Sequence, residues 1–222
     1  MNFDYANARD LMVEQQVRPW DVLDARVLDV LATVPRDRFV ADAHRSLAYA
    51  DLALPTAHGE VMMKPVVEGR MLQALDLKPE DQVLEIGTGS GFIAACLGQL
   101  ARTVTTLERH ADLVTAAETR LAGAGMGANI DVVHADAFAW DAGSRRFDAV
   151  CVTGAVATIP TRFMDWLRPG GRLFVIRGVA PVMEAVLVTA PAVAGGTPAI
   201  ASLFETELPY LAGAGPVARF EL

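Results

Sequence analysis

This chain of 222 residues predicts an α/β fold built on a doubly wound, mostly parallel sheet, with a helical elaboration at its N-terminal end. Two observations predict it. From Asp81 onward short apolar runs alternate with stretches of helical spacing, and a glycine-rich turn joins the first apolar run to the first helical stretch. The length suits one compact domain, because two independent cores would be cramped in it. Hydrophobic residues make up 52% of the chain and charged residues 21%, a globular composition and not that of a disordered segment.

Two regions divide at Lys78-Pro79-Glu80-Asp81. In region 1–80, residues 6–15, 24–33 and 66–75 carry apolar residues at helical spacing, and Pro19, Pro35 and Pro55 punctuate the connections. Residues 54–65 read as a loop. In region 81–222, Gln82–Ile86 is a strand, Phe92–Leu100 a helix, 103–107 a strand, 111–121 a helix and Ile130–His134 a strand. Strands at 149–152 and 172–176, with a helix over 162–167 between them, continue the alternation into a sheet covered on both faces. Residues 185–189 and 217–222 read as late, antiparallel strands, and 190–197 as a loop.

The formal charge of −8 argues against a nucleic-acid clamp and points to small molecules or protein segments as partners. The start MNFDYANARD lacks the basic and apolar runs of a secretory signal, and no apolar stretch reaches the roughly 18 residues that cross a bilayer. A cytoplasmic protein without membrane contact is expected. Cys96 and Cys151 lie in apolar runs and are expected as buried, reduced thiols; no metal-ligand spacing is present, so no metal is expected.

The sharpest signal is Gly87-Thr88-Gly89-Ser90-Gly91 directly after the strand Val83-Leu84-Glu85-Ile86. Ligands of open α/β sheets bind where a strand hands over to a helix, and glycine lets the backbone turn and approach a ligand with no Cβ in the way. A dinucleotide site uses G-x-G-x-x-G to seat a pyrophosphate. Here the spacing is G-x-G-x-G and Glu85 lies two residues earlier, which suits a cationic, phosphate-free ligand such as S-adenosylmethionine (SAM) better than NAD. Glu108, 17 positions past Gly91, stands where a carboxylate accepts two ribose hydroxyls. Asp136 after the third strand is placed to accept an adenine amino group, with Ala137 donating a backbone N–H. Each has a plainer reading: a tight turn for the glycines, a solvated strand end for Glu108 and a cap for Asp136. Their occurrence on consecutive strand ends favours the cofactor reading, and Ser90 is a candidate cap for the following helix.

Ordered blocks along nearly the whole chain carry a resemblance. They are Val34-Pro35-Arg36-Asp37-Arg38-Phe39-Val40, Ala48-Tyr49-Ala50-Asp51 with Leu54-Pro55, the glycine-loop block, Thr106-Leu107-Glu108-Arg109, Phe147-Asp148-Ala149-Val150-Cys151-Val152-Thr153, Ile159-Pro160 and Leu167-Arg168-Pro169-Gly170-Gly171-Arg172-Leu173. In these the chain resembles the protein-L-isoaspartate O-methyltransferase family. The resemblance implies a Rossmann-like, SAM-dependent methyltransferase that esterifies isoaspartyl carboxylates in damaged proteins, after which the ester collapses to a succinimide. It also implies SAM contacts from Glu85, Gly87, Thr88, Gly89, Ser90, Gly91, Glu108, Arg109, Asp136, Ala137 and the loop around His58-Gly59.

One loop departs from the family. Where the family has a Gly-Gln-Thr-Ile-Ser-Gln-Pro-like segment, this chain has Gly59-Glu60-Val61-Met62-Met63-Lys64-Pro65, so Met63 stands at the position of the catalytic hydroxyl and Val61 replaces another hydroxyl residue. A carboxylate acceptor is already ionised at pH 7 and needs placement more than a base. Lys64 is a candidate to receive an anionic acceptor and Glu60 a cationic one, against the plainer reading of solvated loop charges. His58 either touches cofactor or acceptor or caps the loop, and Met62 and Met63 either line the cofactor or pack in the core. Acceptors other than an isoaspartyl protein or peptide, small molecules included, stay open, as does a SAM-binding homologue without turnover.

Overall fold

A computed structural model describes residues 3–193 and 195–216. Helix α1 (Tyr5–Met12) begins at Asp4, whose side chain accepts from the Asn7 amide, and runs into a π-turn at Val13–Val17. Helix α2 (Ala25–Thr33) is capped by the Asp24 carboxylate, and α3 (Pro65–Leu75) starts on a proline, whose missing N–H costs nothing in a first turn. Between α2 and α3, the segment expected as loop contains two short antiparallel strands, β1 (Leu54–Pro55) and β2 (Val61–Met62), joined through a tight turn at Ala57–Gly59. Two-residue strands, one holding a proline, leave no alternation to read.

The main sheet comprises β3 (Gln82–Ile86), β4 (Thr103–Glu108), β5 (Ile130–His134), β6 (Phe147–Val156), β7 (Leu167–Val179), β8 (Val182–Thr189) and β9 (Ala199–Glu205), in the order β5-β4-β3-β6-β7-β8-β9. The first five strands in chain order are parallel; β8 is antiparallel to β7, as expected for the late strand at 185–189, and β9, which has no counterpart among the expected strands, is antiparallel to β8. Helices α4 (Phe92–Leu100), α5 (Ala111–Gly123) and α6 (Thr161–Asp165) complete the alternation. α6 is shorter than the span 162–167, because Leu167 already pairs with Phe147 in the sheet. β6 and β7 outrun their expected spans through register shifts around Pro169, Gly170 and Gly171, residues that mask a strand pattern. β9 went unseen because most of Ala199–Glu205 is exposed and mixed in polarity. The strand expected at 217–222 lies outside the described residues.

Side chains alternate between two cores. Val83, Ala149 and Cys151 pack with α4 and the N-terminal helices, while Leu84, Ile86, Val150 and Val152 pack with α6 and Trp166. By that alternation Glu85 turns with Val83 toward the N-terminal segment, so an ionisable group on a mostly apolar strand faces the loop that carries Met63. Cys96 and Cys151 are buried free thiols. Among the described residues, no helix is long and apolar enough to cross a membrane.

Candidate active site

The chain leaves β3 toward β4 on one side and returns at β6 on the other, so the ends of β3 and β6 flank a topological switch point. The turn there needs its glycines. Gly87 has φ 96°, and a Cβ on it would lie 2.4 Å from the Thr153 hydroxyl. Gly91, at φ 89°, brings the start of α4 against Ala117 of α5. Ser90 accepts from the Phe92 amide at 3.2 Å, but the N-cap of α4 is Gly91, so the cap expected at Ser90 falls one residue outside the helix boundary.

Three acidic strand ends surround the turn. Glu85 is fully buried; its Oε2 accepts from the Thr106 hydroxyl at 2.5 Å, which accepts from the Thr88 hydroxyl at 2.6 Å, while its Oε1 has no partner among the described residues. Burial pushes its pKa up to about 8, with the Thr106 hydrogen bond opposing and Glu108 adding to the rise. Glu108 is 2% exposed and accepts from the Gly89 amide at 2.9 Å and the His110 amide at 3.0 Å. Asp136 is exposed and spends Oδ1 on the Phe138 amide, so the local turn that was its plainer reading is present.

These groups line two adjoining lobes of one cleft, with Glu60, Gly87 and Leu211 bordering both. The smaller lobe, about 410 Å³, is walled by Leu107, Glu108, Arg109, Asp136, Ala137 and Phe138. The larger, about 640 Å³ with its open mouth, is walled by Met63, Glu85, Thr88, Ser90, Thr153 and Tyr210 among others. A strap from Leu208 to Leu211 covers it: the Ala155 amide donates to the Pro209 carbonyl and the Leu211 amide to the Ala155 carbonyl, both at 2.9 Å. The Leu211 side chain fits where Gly154 has no Cβ, since an added one would come within 2.6 Å.

The cleft thus gathers Glu60, Met63, Glu85, Gly87, Thr88, Gly89, Ser90, Glu108, Arg109, Asp136 and Ala137. It does not gather Lys64. That residue is exposed at the start of α3 and lines neither lobe, so an anion in the cleft does not meet it. His58, Gly59 and Gly91 also line neither lobe; His58 instead contacts Asp112 and His110 at the rim, and Gly91 packs against Ala117. Met63 is buried, with its carbonyl accepting from Arg36 at 2.8 Å, and Arg36 is itself buried, paired with Glu68 and lying over the Phe92 ring. Glu60 has a raised pKa, first from burial and then from Glu108.

Sequence reasoning missed Thr153, whose hydroxyl lies 2.6 Å from the Gly87 carbonyl and fixes the turn, although its place at the end of the strand beside the switch point was a usable signal. It also missed the strap, which no periodicity marks.

Comparison with known proteins decides the family. The family model described as protein-L-isoaspartate(D-aspartate) O-methyltransferase matches residues 7–188. The chain belongs to this family. A protein-L-isoaspartate O-methyltransferase of Koribacter versatilis (strain Ellin345) is 39% identical over 184 residues, covering 83% of this chain and 82% of that protein. Another from Methylorubrum extorquens (strain PA1) is 40% identical over 172 residues, 78% and 75% of the two chains. Among solved structures, a Plasmodium falciparum protein described as a protein-L-isoaspartate O-methyltransferase, in complex with S-adenosyl-L-homocysteine, superposes with TM-score 0.78 over 95% of this chain and 99% of its own, at 17% identity. That likeness shows the shared Rossmann-like fold.

Proposed function

We propose that this protein is a SAM-dependent methyltransferase that esterifies isoaspartyl carboxylates in proteins or peptides. The observation that carries the cofactor assignment is the unpaired Oε1 of Glu85: a buried carboxylate oxygen without a donor, inside the cleft, fits an ammonium group. Bound SAM supplies a methyl group on a cationic sulfur, which passes to the acceptor oxygen and leaves a neutral thioether and a methyl ester. The protein's own residues bind and align. Glu85 takes the ammonium, Glu108 the ribose hydroxyls, and the turn at 87–91 lets the backbone approach without side chains in the way. Asp136 and Ala137 are assigned the adenine edge. Met63, Val61 and Tyr210 shape the space in which the acceptor lies, and the strap excludes water. Under this assignment the described part of residues 1–80 supplies most of the acceptor side, and the described part of residues 81–222 supplies the cofactor side together with the Tyr210 strap. The two buried thiols fit a reducing cytoplasmic setting.

A second reading, a neutral or cationic acceptor, is favoured by one feature: among the described residues the larger lobe has Glu60, Glu68 and Glu85 in its wall and no lysine, arginine or histidine. Methyl transfer from labelled SAM to an isoaspartyl peptide, its normal aspartyl counterpart and a cell lysate separates the two. Labelling of the isoaspartyl peptide alone supports the first reading; labelling of lysate components with neither peptide modified supports the second.

A further inference from the structure

The rim of the cleft carries a cluster that the methyl-transfer reading does not use. His58 from the β1–β2 turn, and His110 and Asp112 from the start of α5, bring one ligating atom each within 4.8 Å of one another. His58 Nε2 lies 3.0 Å from both Asp112 carboxylate oxygens, and Glu60 Oε1 lies 3.7 Å from His110 Nε2. We propose that His58, His110 and Asp112, with Glu60 as a fourth donor, form a binding site for a divalent transition-metal ion that clamps the 56–60 turn onto α5.

The donor chemistry selects the ion. Two imidazoles with carboxylates suit zinc, nickel or copper, whereas magnesium and calcium take all-oxygen sets. The two carboxylates supply the negative charge a dication needs and outweigh the positive end of the α5 dipole. The rings now stack at 3.8 Å and 4°, and in that arrangement a cation cannot lie in the plane of both rings at once. Ligation therefore turns one ring out of the stack. Both side chains are partly open to solvent, at 38% and 25%, so the turn meets little packing resistance. His58 has φ 60°, an uncommon conformation for a residue other than glycine, and it directs the imidazole toward α5.

The consequence is reach into the cleft. Glu60 borders both lobes and Thr56 the larger one, so a cation joining the turn to α5 holds this wall closed over bound cofactor. Cofactor exchange then depends on metal, while metal uptake itself depends on the four rim side chains and not on any acceptor.

The test is calorimetric titration of tag-free protein with zinc and, separately, magnesium. One zinc per chain with a micromolar dissociation constant is expected, with no magnesium uptake. His58→Ala and His110→Ala should each weaken zinc binding tenfold or more, Asp112→Asn several-fold, and His44→Ala not at all. Affinity should rise with pH, because imidazole must lose its proton to ligate. Stopped-flow release of S-adenosylhomocysteine should slow several-fold with zinc in wild type and stay unchanged in His58→Ala. No saturable zinc uptake at 100 µM, or uptake kept in a folded His58→Ala/His110→Ala variant, overturns the proposal. Binding without any change in release overturns the clamp.

Discussion

The floor and the roof of the cleft are made in different ways. The floor comes from one continuous piece of chain, Glu85 through Glu108, in which a strand, a turn, a helix and a second strand follow one another. The roof comes from the β1–β2 turn and the 208–211 strap, segments about 150 positions apart that meet only in the fold. Local chemistry therefore encodes the floor strongly, through φ angles and strand alternation, while the roof is encoded by long-range packing that tolerates substitution.

The floor should break hardest. Gly87→Ala puts a side chain at φ 96° and a Cβ against the Thr153 hydroxyl, strain of about 1–3 kcal/mol plus a clash. We expect a loss of S-adenosylhomocysteine affinity of about a hundredfold or more, with the far-UV spectrum of a folded sheet. Adding Thr153→Ala should recover part of it, since the clash goes and the strain stays. Full affinity in Gly87→Ala would show that the turn adjusts freely.

Glu85 tests the floor's charge. Its Gln variant should bind SAM roughly 10- to 100-fold more weakly, the weight of a charge-assisted hydrogen bond of about 1.5–3 kcal/mol. The fold should respond oppositely. With a folded pKa of about 8 against 4.5 when unfolded, the native state holds the proton more tightly between those values, so wild-type stability falls as pH rises from 4.5 to 8. Glu85→Gln removes that slope, opening a gap in its favour of roughly 4 kcal/mol at pH 8 relative to pH 4.5. The same linkage predicts that SAM binding expels a proton below pH 8, so affinity climbs by up to about tenfold per unit from pH 6 and levels near 8. Denaturation curves and calorimetry in two buffers measure both, and flat profiles would place the ammonium elsewhere.

The roof should yield less. Leu211→Ala removes the side chain that fills the space above Gly154 and Gly87 and borders both lobes. We expect about a fivefold weaker acceptor KM and a smaller change in cofactor affinity, the scale of a partial cavity in a site that can collapse. A larger effect on the cofactor than on the acceptor would move the strap from roof to floor.

What the sequence made legible follows the same division. Strand ends at Glu85, Glu108 and Asp136 and the glycine turn could be placed because period-two apolar runs fix which residue ends each strand. Lys64 could not be oriented from its position beside Met63, because α3 starts at Pro65 and sends the two side chains to different surroundings. The pairing of His58 with α5, and of Leu211 with Gly154, spans 54 and 57 positions and left no local mark.

Met63 carries the gentlest and most specific test. By the resemblance, the side chain is expected at the place of a family hydroxyl, and its backbone is anchored by Arg36, which holds the Met63 carbonyl while paired with the buried Glu68. Shortening the side chain therefore leaves the loop in place and puts a serine hydroxyl in the same lobe as Glu85 and Thr153. An isoaspartyl carboxylate needs no base, so the hydroxyl acts by orienting it, and we expect Met63→Ser to raise kcat/KM on an isoaspartyl peptide about three- to fivefold. Val61→Thr added to it should raise the value further, because an orienting group works through its neighbours. The cost is stability, about 2–3 kcal/mol for truncating a buried methionine, which a thermal melt reads independently. Cofactor affinity should stay within twofold, since Met63 belongs to the roof. If wild-type turnover is efficient and falls when the hydroxyl is added, this loop orients the carboxylate by another arrangement. If the variants bind SAM, keep their fold and leave the peptide unmodified, the acceptor is not an isoaspartyl carboxylate, and the acidic wall of Glu60, Glu68 and Glu85 becomes the feature that points to its replacement.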